Sequence, residues 1–225
     1  MQLNLALNTW GGKRRGAGRP TDRYRSSERH AERDHFERVT PFHVTLRTVD
    51  DVRGLRTTGP YHAIRNALAA ANRRAGFGVV HASIQDNHLH LITEADDDRI
   101  LSRGMQGFQI SAARRINAVL GRTGQLFADR YHPVAIESPT QALHSITYVL
   151  NNWRRHGRDV GRPWLVDYYS SGPSFDGWKE RDTVGELPAG YRPLLVARPR
   201  TWVLAVGWRR AGELSVRAVP GGARW

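Results

Sequence analysis

The sequence predicts an α+β fold: an antiparallel sheet with helices, extended by one further helix and a C-terminal segment. Three observations lead there. Short, alternating, β-branched runs are interspersed with longer amphipathic stretches. Two of the short runs are separated only by Asp86-Asn87, a hairpin connection that makes them antiparallel neighbours. A chain of 225 residues that is 40% hydrophobic and 24% charged suits one good core with a smaller unit or tails.

Residues 1–38 read as a flexible basic arm. From Gly11 they are polar, rich in Gly and Arg and without period, so they cannot bury enough apolar surface to order themselves. The Gly18-Arg19-Pro20 core, preceded by Arg14 and Arg15, resembles an AT-hook arm of the minor groove. A solvated basic tail is the other reading, and both add affinity for phosphate. Order begins near Val39. Phe42, Val44 and Leu46 alternate with His43 and Thr45 as a first strand. Pro60 opens a helix with Ile64, Leu68 and Ala71 on one face, ended by Gly76 and Gly78. Residues 78–85 form a second strand and the run from His88 a third.

Asp96, Asp97 and Asp98 supply negative charge where a helix dipole favours it. The helix that follows carries Leu101, Met105, Phe108, Ala112, Ile116 and Val119 on its apolar face, to about Leu120. Residues 127–136 hold a fourth strand, and Pro133 marks it as an edge or bulged strand. Ser138-Pro139-Thr140-Gln141 combines an N-cap, a first-turn proline and a capping-box glutamine. That helix runs to about His156, with Ala142, Ile146, Val149, Leu150 and Trp153 as its stripe, and stops at Gly157. The first six elements make a split β-α-β pattern of the ferredoxin or RRM kind, and residues 39–157 read as one domain, the catalytic one by the family resemblance drawn below from its motifs. Residues 158–225 read as an extension wrapping the core, with 201–208 and 214–219 as a strand pair.

The net charge is +13 with a sequence pI near 11.1, and Lys13 and Lys179 are the only lysines. Arginine binds phosphate bidentately and stacks on bases, so this excess points to nucleic acid before membrane. There is no cysteine, which excludes disulfides and thiolate metal sites. No apolar run reaches the ~18–20 residues that span a bilayer. Residues 1–10 lack the pattern of a signal peptide, so a cytoplasmic location is expected.

Strand parity puts His88 and His90 on one face, with Glu94 beyond them, and Leu89 and Leu91 on the other. Two imidazoles at this spacing can converge on one cation, but a two-histidine site is incomplete. The tyrosine helix offers candidates for the rest. Tyr148 lies off the apolar stripe, on the side of Gln141, Ser145 and Asn152. Two readings are open for Tyr148: packing on a second contact surface, or a phenol held over the sheet with Asn152 beside it.

His-apolar-His on a strand, followed at this distance by Tyr-x-x-x-Asn on a helix, resembles the single-tyrosine HUH transposases of the insertion-sequence and REP-associated families. The matching segments are Phe42 to Arg47, Asn87 to Leu91, Phe127 to Tyr131 and Tyr148 to Asn152. The resemblance implies that His88, His90 and Asn152 hold Mg²⁺ or Mn²⁺ and that Tyr148 is the catalytic nucleophile. It implies DNA nicking and strand transfer through a 5′-phosphotyrosine on single-stranded or hairpin DNA, by a monomer or homodimer. The chain departs from the family in having Trp153, not proline, after Asn152. Arg114, Arg115, Arg130, Arg154 and Arg155, with Arg14, Arg15 and Arg19 of the arm, are the expected backbone contacts. His132, Tyr168 and Tyr169 are secondary candidates. The competing expectation is a non-catalytic nucleic-acid-binding regulator that keeps the sheet and the charge.

Overall fold

The computed structural model describes residues 35–160, 166–180 and 187–221. The basic arm, with Arg14, Arg15 and Arg19, lies outside them. Four strands, β1 (Thr40–Arg47), β2 (Phe77–Ile84), β3 (His88–Ala95) and β4 (His132–Ala135), form one antiparallel sheet in the order β2-β3-β1-β4. Helices α1 (Thr58–Ala71) and α2 (Asp98–Val119) connect β1 to β2 and β3 to β4, which is the expected split β-α-β arrangement. The helix α3 (Pro139–Arg155) follows β4.

The two sheet faces have different contents. Phe42, Val44, Leu46, Leu89 and Leu91 pack with Ile64 and Leu68 of α1 and Met105, Phe108 and Ile116 of α2 in the larger core. Gly104 of α2 allows this approach, because a Cβ there would stand 2.4 Å from the Phe77 ring. On the other face, Val80, Ile92 and Ile136 pack with Ala142, Ile146, Val149 and Leu150 of α3. A register shift between Val79 and His81 turns Val80 toward this second core while Val79 stays in the first, as a bulge does.

Local chemistry sets the helix ends. Asp97 accepts a 2.6 Å bond from the Ile100 amide at the start of α2. At α3, Ser138 Oγ accepts from Gln141 N at 3.2 Å and Gln141 Oε1 accepts from Ser138 N at 3.1 Å, the predicted capping box. Gly157, at φ 62°, provides the left-handed turn after α3 at little cost.

Three expectations change. The fourth strand is confined to His132–Ala135, and Phe127 makes only an isolated bridge to Thr48. Residues 201–208 are not a strand: α4 (Trp202–Ala205) and a 3₁₀ turn, Gly207–Arg210, occupy that region. Leu214 bridges Trp178 instead of pairing with it. The alternation in Trp202, Leu204 and Val206 read as β, but a helical turn buries Leu204 alone and leaves Trp202 and Val206 half-exposed.

The C-terminal segment braces the β2 edge of the sheet and the end of β3. Ala197 N donates to Val79 O, Ser171 N to Ala82 O and Ile84 N to Tyr169 O, so the outer edge of β2 is covered, not left open to other chains. Arg56 pairs with buried Asp167 at 2.7 Å and donates to Ile84 O. Glu94, 1% exposed, accepts from the backbone amides of Arg200 and Thr201 and from the Thr201 hydroxyl. Removing that carboxylate strands three donors. Glu94→Ala is therefore expected to destabilise the chain by about 2–3 kcal/mol in urea unfolding, and Glu94→Gln, which retains one acceptor oxygen, by less.

Candidate active site between the sheet and the tyrosine helix

β1 and β3 are neighbours in a register that sets Thr45 opposite His90 and Arg47 opposite His88. Alternation then directs His43, Thr45, His88 and His90 to the face that α3 crosses. On α3, Tyr148, Asn152 and His156 follow one another at four-residue intervals and share a stripe. The two sets meet. The Tyr148 ring centroid is 5.0 Å from that of His90 and 5.5 Å from that of His43, both edge-on. At the other end of the stripe, His156 lies 6.0 Å from His88. Asn152 stands between them in sequence, fully buried, and neither its amide oxygen nor its amide nitrogen has a hydrogen-bond partner among the described residues.

The histidines are arranged with one nitrogen engaged and the other free. His88 Nδ1 lies 3.0 Å from Asn87 Oδ1. A carboxamide oxygen only accepts, so the proton is on Nδ1 and Nε2 carries a lone pair. His90 Nδ1 lies 3.3 Å from both His43 Nε2 and Thr45 Oγ1, while His90 Nε2 is buried without a partner. Burial, with His156 next, pushes His88 down to about 4. Burial, with His132 next, does the same to His43. His90 is driven well below the ordinary imidazole range by burial and then by His43, His88 and His156. These imidazoles are neutral at neutral pH, the state a metal ligand requires.

This donor set fits a hard divalent ion. Two neutral imidazoles and an unpartnered carboxamide oxygen supply part of a coordination shell that water and phosphate oxygens can complete. No group of three or more His, Cys, Asp or Glu side chains suited to a metal occurs among the described residues; a third protein ligand here would have to be of another type, and the Asn152 amide is such a group.

The other predicted residues are placed variously. Arg155 is exposed beside His156, and Arg130 is exposed just before β4. Arg154 is drawn into the structure: it donates to Val216 O at 2.7 Å and to Asp159 at 2.8 Å, and its guanidinium covers the Trp153 ring. Arg114 and Arg115 are on α2, which packs on the opposite face of the sheet from Tyr148. Glu94 shares the histidine face but turns its carboxylate to residues 200–201. His132 pairs across the sheet with Thr45. Tyr168 and Tyr169 cluster with Tyr61 and Tyr191, and burial raises Tyr169 to about 12.

Sequence reasoning missed His43, Thr45, His156 and Arg47. The first two repeat on β1 the i, i+2 pattern of His88 and His90, and His156 lies eight residues, about two helical turns, beyond Tyr148. Those signals were present but needed the pairing of β1 with β3, and the direction of α3, to acquire meaning.

No protein-family model and no curated protein matches this chain. Among solved structures, similarity is found to a REP-associated tyrosine transposase bound to a REP hairpin, at 18% identity and a TM-score of 0.48, covering 58% of this chain and 75% of that one. It is also found to a candidate transposase of Deinococcus radiodurans R1, at 12% identity and a TM-score of 0.38, covering 57% and 96% respectively. No described helix is long and apolar enough to cross a membrane.

The buried histidines have a consequence for stability. In the unfolded chain they titrate near pH 6.5, whereas His43, His88 and also His81 titrate at about 4 when folded. Between these values the unfolded chain holds more protons, so stability is full above about pH 6.5 and is lost as the pH falls toward 4. The urea midpoint is expected to be lower at pH 5 than at pH 7.5. The gap should narrow in His81→Gln, which removes a buried imidazole set between Ser171 and Phe175, away from Tyr148.

Proposed function

We propose that this chain is a transposase-type enzyme that nicks and rejoins single-stranded or hairpin DNA, using Tyr148 as nucleophile and His88, His90 and Asn152 to hold Mg²⁺ or Mn²⁺. The observation that carries this reading is the edge contact between the Tyr148 and His90 rings, 5.0 Å apart, beside the unpartnered Asn152 amide. Bound there, the cation would withdraw charge from the scissile phosphate and from the departing oxygen.

The rest is the work of the side chains. The Tyr148 phenol loses its proton as its oxygen attacks phosphorus in line. A tyrosine–phosphorus bond forms and the bond to the 3′ oxygen breaks. The leaving oxygen takes a proton and departs as a 3′-hydroxyl, while the 5′ end stays on Tyr148. The phosphodiester is exchanged and not hydrolysed, so a 3′-hydroxyl can reverse the step and join a strand without ATP. Because the Tyr148 and His90 rings touch within one chain, this reaction needs no second copy to complete the site.

Charge and access support DNA as substrate. α3 covers the sheet face on which an RRM-like fold would stack bases, so a strand has to reach the site from an open end. Around His88 and His156 that end carries exposed Arg47, Arg155 and Arg158, which suit backbone phosphates. His156 itself is lowered by burial and then by Arg155 and Arg158, as expected beside a positive rim.

Labelled hairpin DNA incubated with the protein and Mn²⁺ should give a protein–DNA adduct that survives denaturant. Tyr148→Phe should abolish that adduct while leaving salt-sensitive DNA binding in place; an adduct persisting in this variant would remove Tyr148 as nucleophile. A regulator without catalysis would bind DNA and form no adduct in the wild type. Asn152→Ala should weaken Mn²⁺ binding by roughly tenfold, about 1.4 kcal/mol, as measured by titration without DNA.

A further inference from the structure

We propose that His43 is a positioning residue: it holds His90 in the Nδ1–H tautomer and so presents the Nε2 lone pair of His90 to the cation. The inference rests on the reading of His88, His90 and Asn152 as the cation's ligands.

A neutral imidazole has one N–H and one lone pair, and its surroundings decide which nitrogen carries which. At His90 those surroundings are unequal. Nε2 is buried without a partner among the described residues, so a proton there would be a buried unsatisfied donor. Nδ1 has two neighbours at 3.3 Å, His43 Nε2 and Thr45 Oγ1. The threonine hydroxyl and the neutral His43 ring can each donate to Nδ1 or accept from it. The buried, unpartnered Nε2 breaks that symmetry, because only a proton on Nδ1 avoids a stranded donor. An imidazole nitrogen is a stronger acceptor than a hydroxyl, so His43 Nε2 is the partner assigned to hold that proton.

The same arrangement serves the other ligand by different means. His88 Nδ1 is 3.0 Å from Asn87 Oδ1, so both histidines of β3 have an acceptor at Nδ1 and an Nε2 left over. Outer acceptors of this kind orient ligating histidines and raise their basicity. His43 differs from Asn87 in that its ring also lies edge-on to Tyr148 at 5.5 Å. One side chain of β1 thus adjoins both the ligand and the nucleophile.

The tautomer can be read in the metal-free wild-type protein by long-range proton–nitrogen NMR of the imidazoles. The expected result is His90 protonated at Nδ1; protonation at Nε2 overturns the proposal whether or not any variant folds. Mn²⁺ titration without DNA, followed by the EPR signal of free Mn²⁺, gives the second measure. His43→Phe keeps a ring against Tyr148 and deletes the acceptor. It should weaken Mn²⁺ binding by about 10–100-fold, and His43→Gln, whose amide oxygen accepts, should recover most of the loss. Wild-type affinity in His43→Phe, or a larger loss in Thr45→Val than in His43→Phe, would overturn the role of His43. A wild-type protein that binds no Mn²⁺ would instead overturn the ligand assignment, with the tautomer measurement still deciding the proposal about His43.

Discussion

The site depends on the packing of α3 across the histidine face of the sheet. That contact is unusual in its chemistry, because it encloses His90 and Asn152, both buried with unpartnered polar atoms, and half-buried Tyr148, His43 and His88 as well as aliphatic side chains. Burying such groups without partners costs on the order of 1–3 kcal/mol each. The apolar part of the interface has to offset that cost. Ile146, Val149 and Leu150 supply it from α3, with Ile92, Val80 and Ile136 from the sheet. A helix with only its polar stripe against the sheet would not stay there.

The C-terminal segment holds α3 in that position. Asn151 donates to Ser215 O and Arg154 to Val216 O, while Trp208, Leu214 and Val216 join the same hydrophobic cluster. This explains why Arg154, in a basic protein, is turned inward. It also explains why α3 can afford buried residues on several sides: the sheet takes one and the C-terminal segment another. Glu94, which parity places with the histidines, is occupied in tying residues 200–201 to the end of β3. The histidine face is thus divided along β3 between a half at His88 and His90 that faces Tyr148 and His156 of the helix segment and a bracing half at Glu94.

Neutrality of the imidazoles follows from the same packing. Burial lowers His43, His88 and His90 together, and a neighbouring imidazole adds to it in each case, His132 at His43, His156 at His88, and His43 first at His90, because two imidazolium ions would repel. The arrangement that makes them suitable for a cation also makes the fold sensitive to acid.

Much was legible in the sequence because it is encoded locally. The capping box at Ser138 and Gln141, the Asp86-Asn87 hairpin and the alternation around Leu89 and Leu91 depend only on near neighbours, and the elements stand close to where those signals put them. His88 and His90 share a face by strand period, and Tyr148 and Asn152 share one by helical period. Other features required the tertiary structure. Trp202, Leu204 and Val206 have a strand-like pattern, but the long-range anchoring of residues 200–201 by Glu94 leads into a helical turn. His43 became part of the site only when β1 paired with β3, His156 only when the path of α3 carried it to His88, and Arg114 and Arg115 left it when α2 packed on the far face. Periodicity determines which residues lie together on one element. Which elements face one another is decided by burial over separations of tens of residues, and the opposition of Tyr148 to His90 belongs to that second kind.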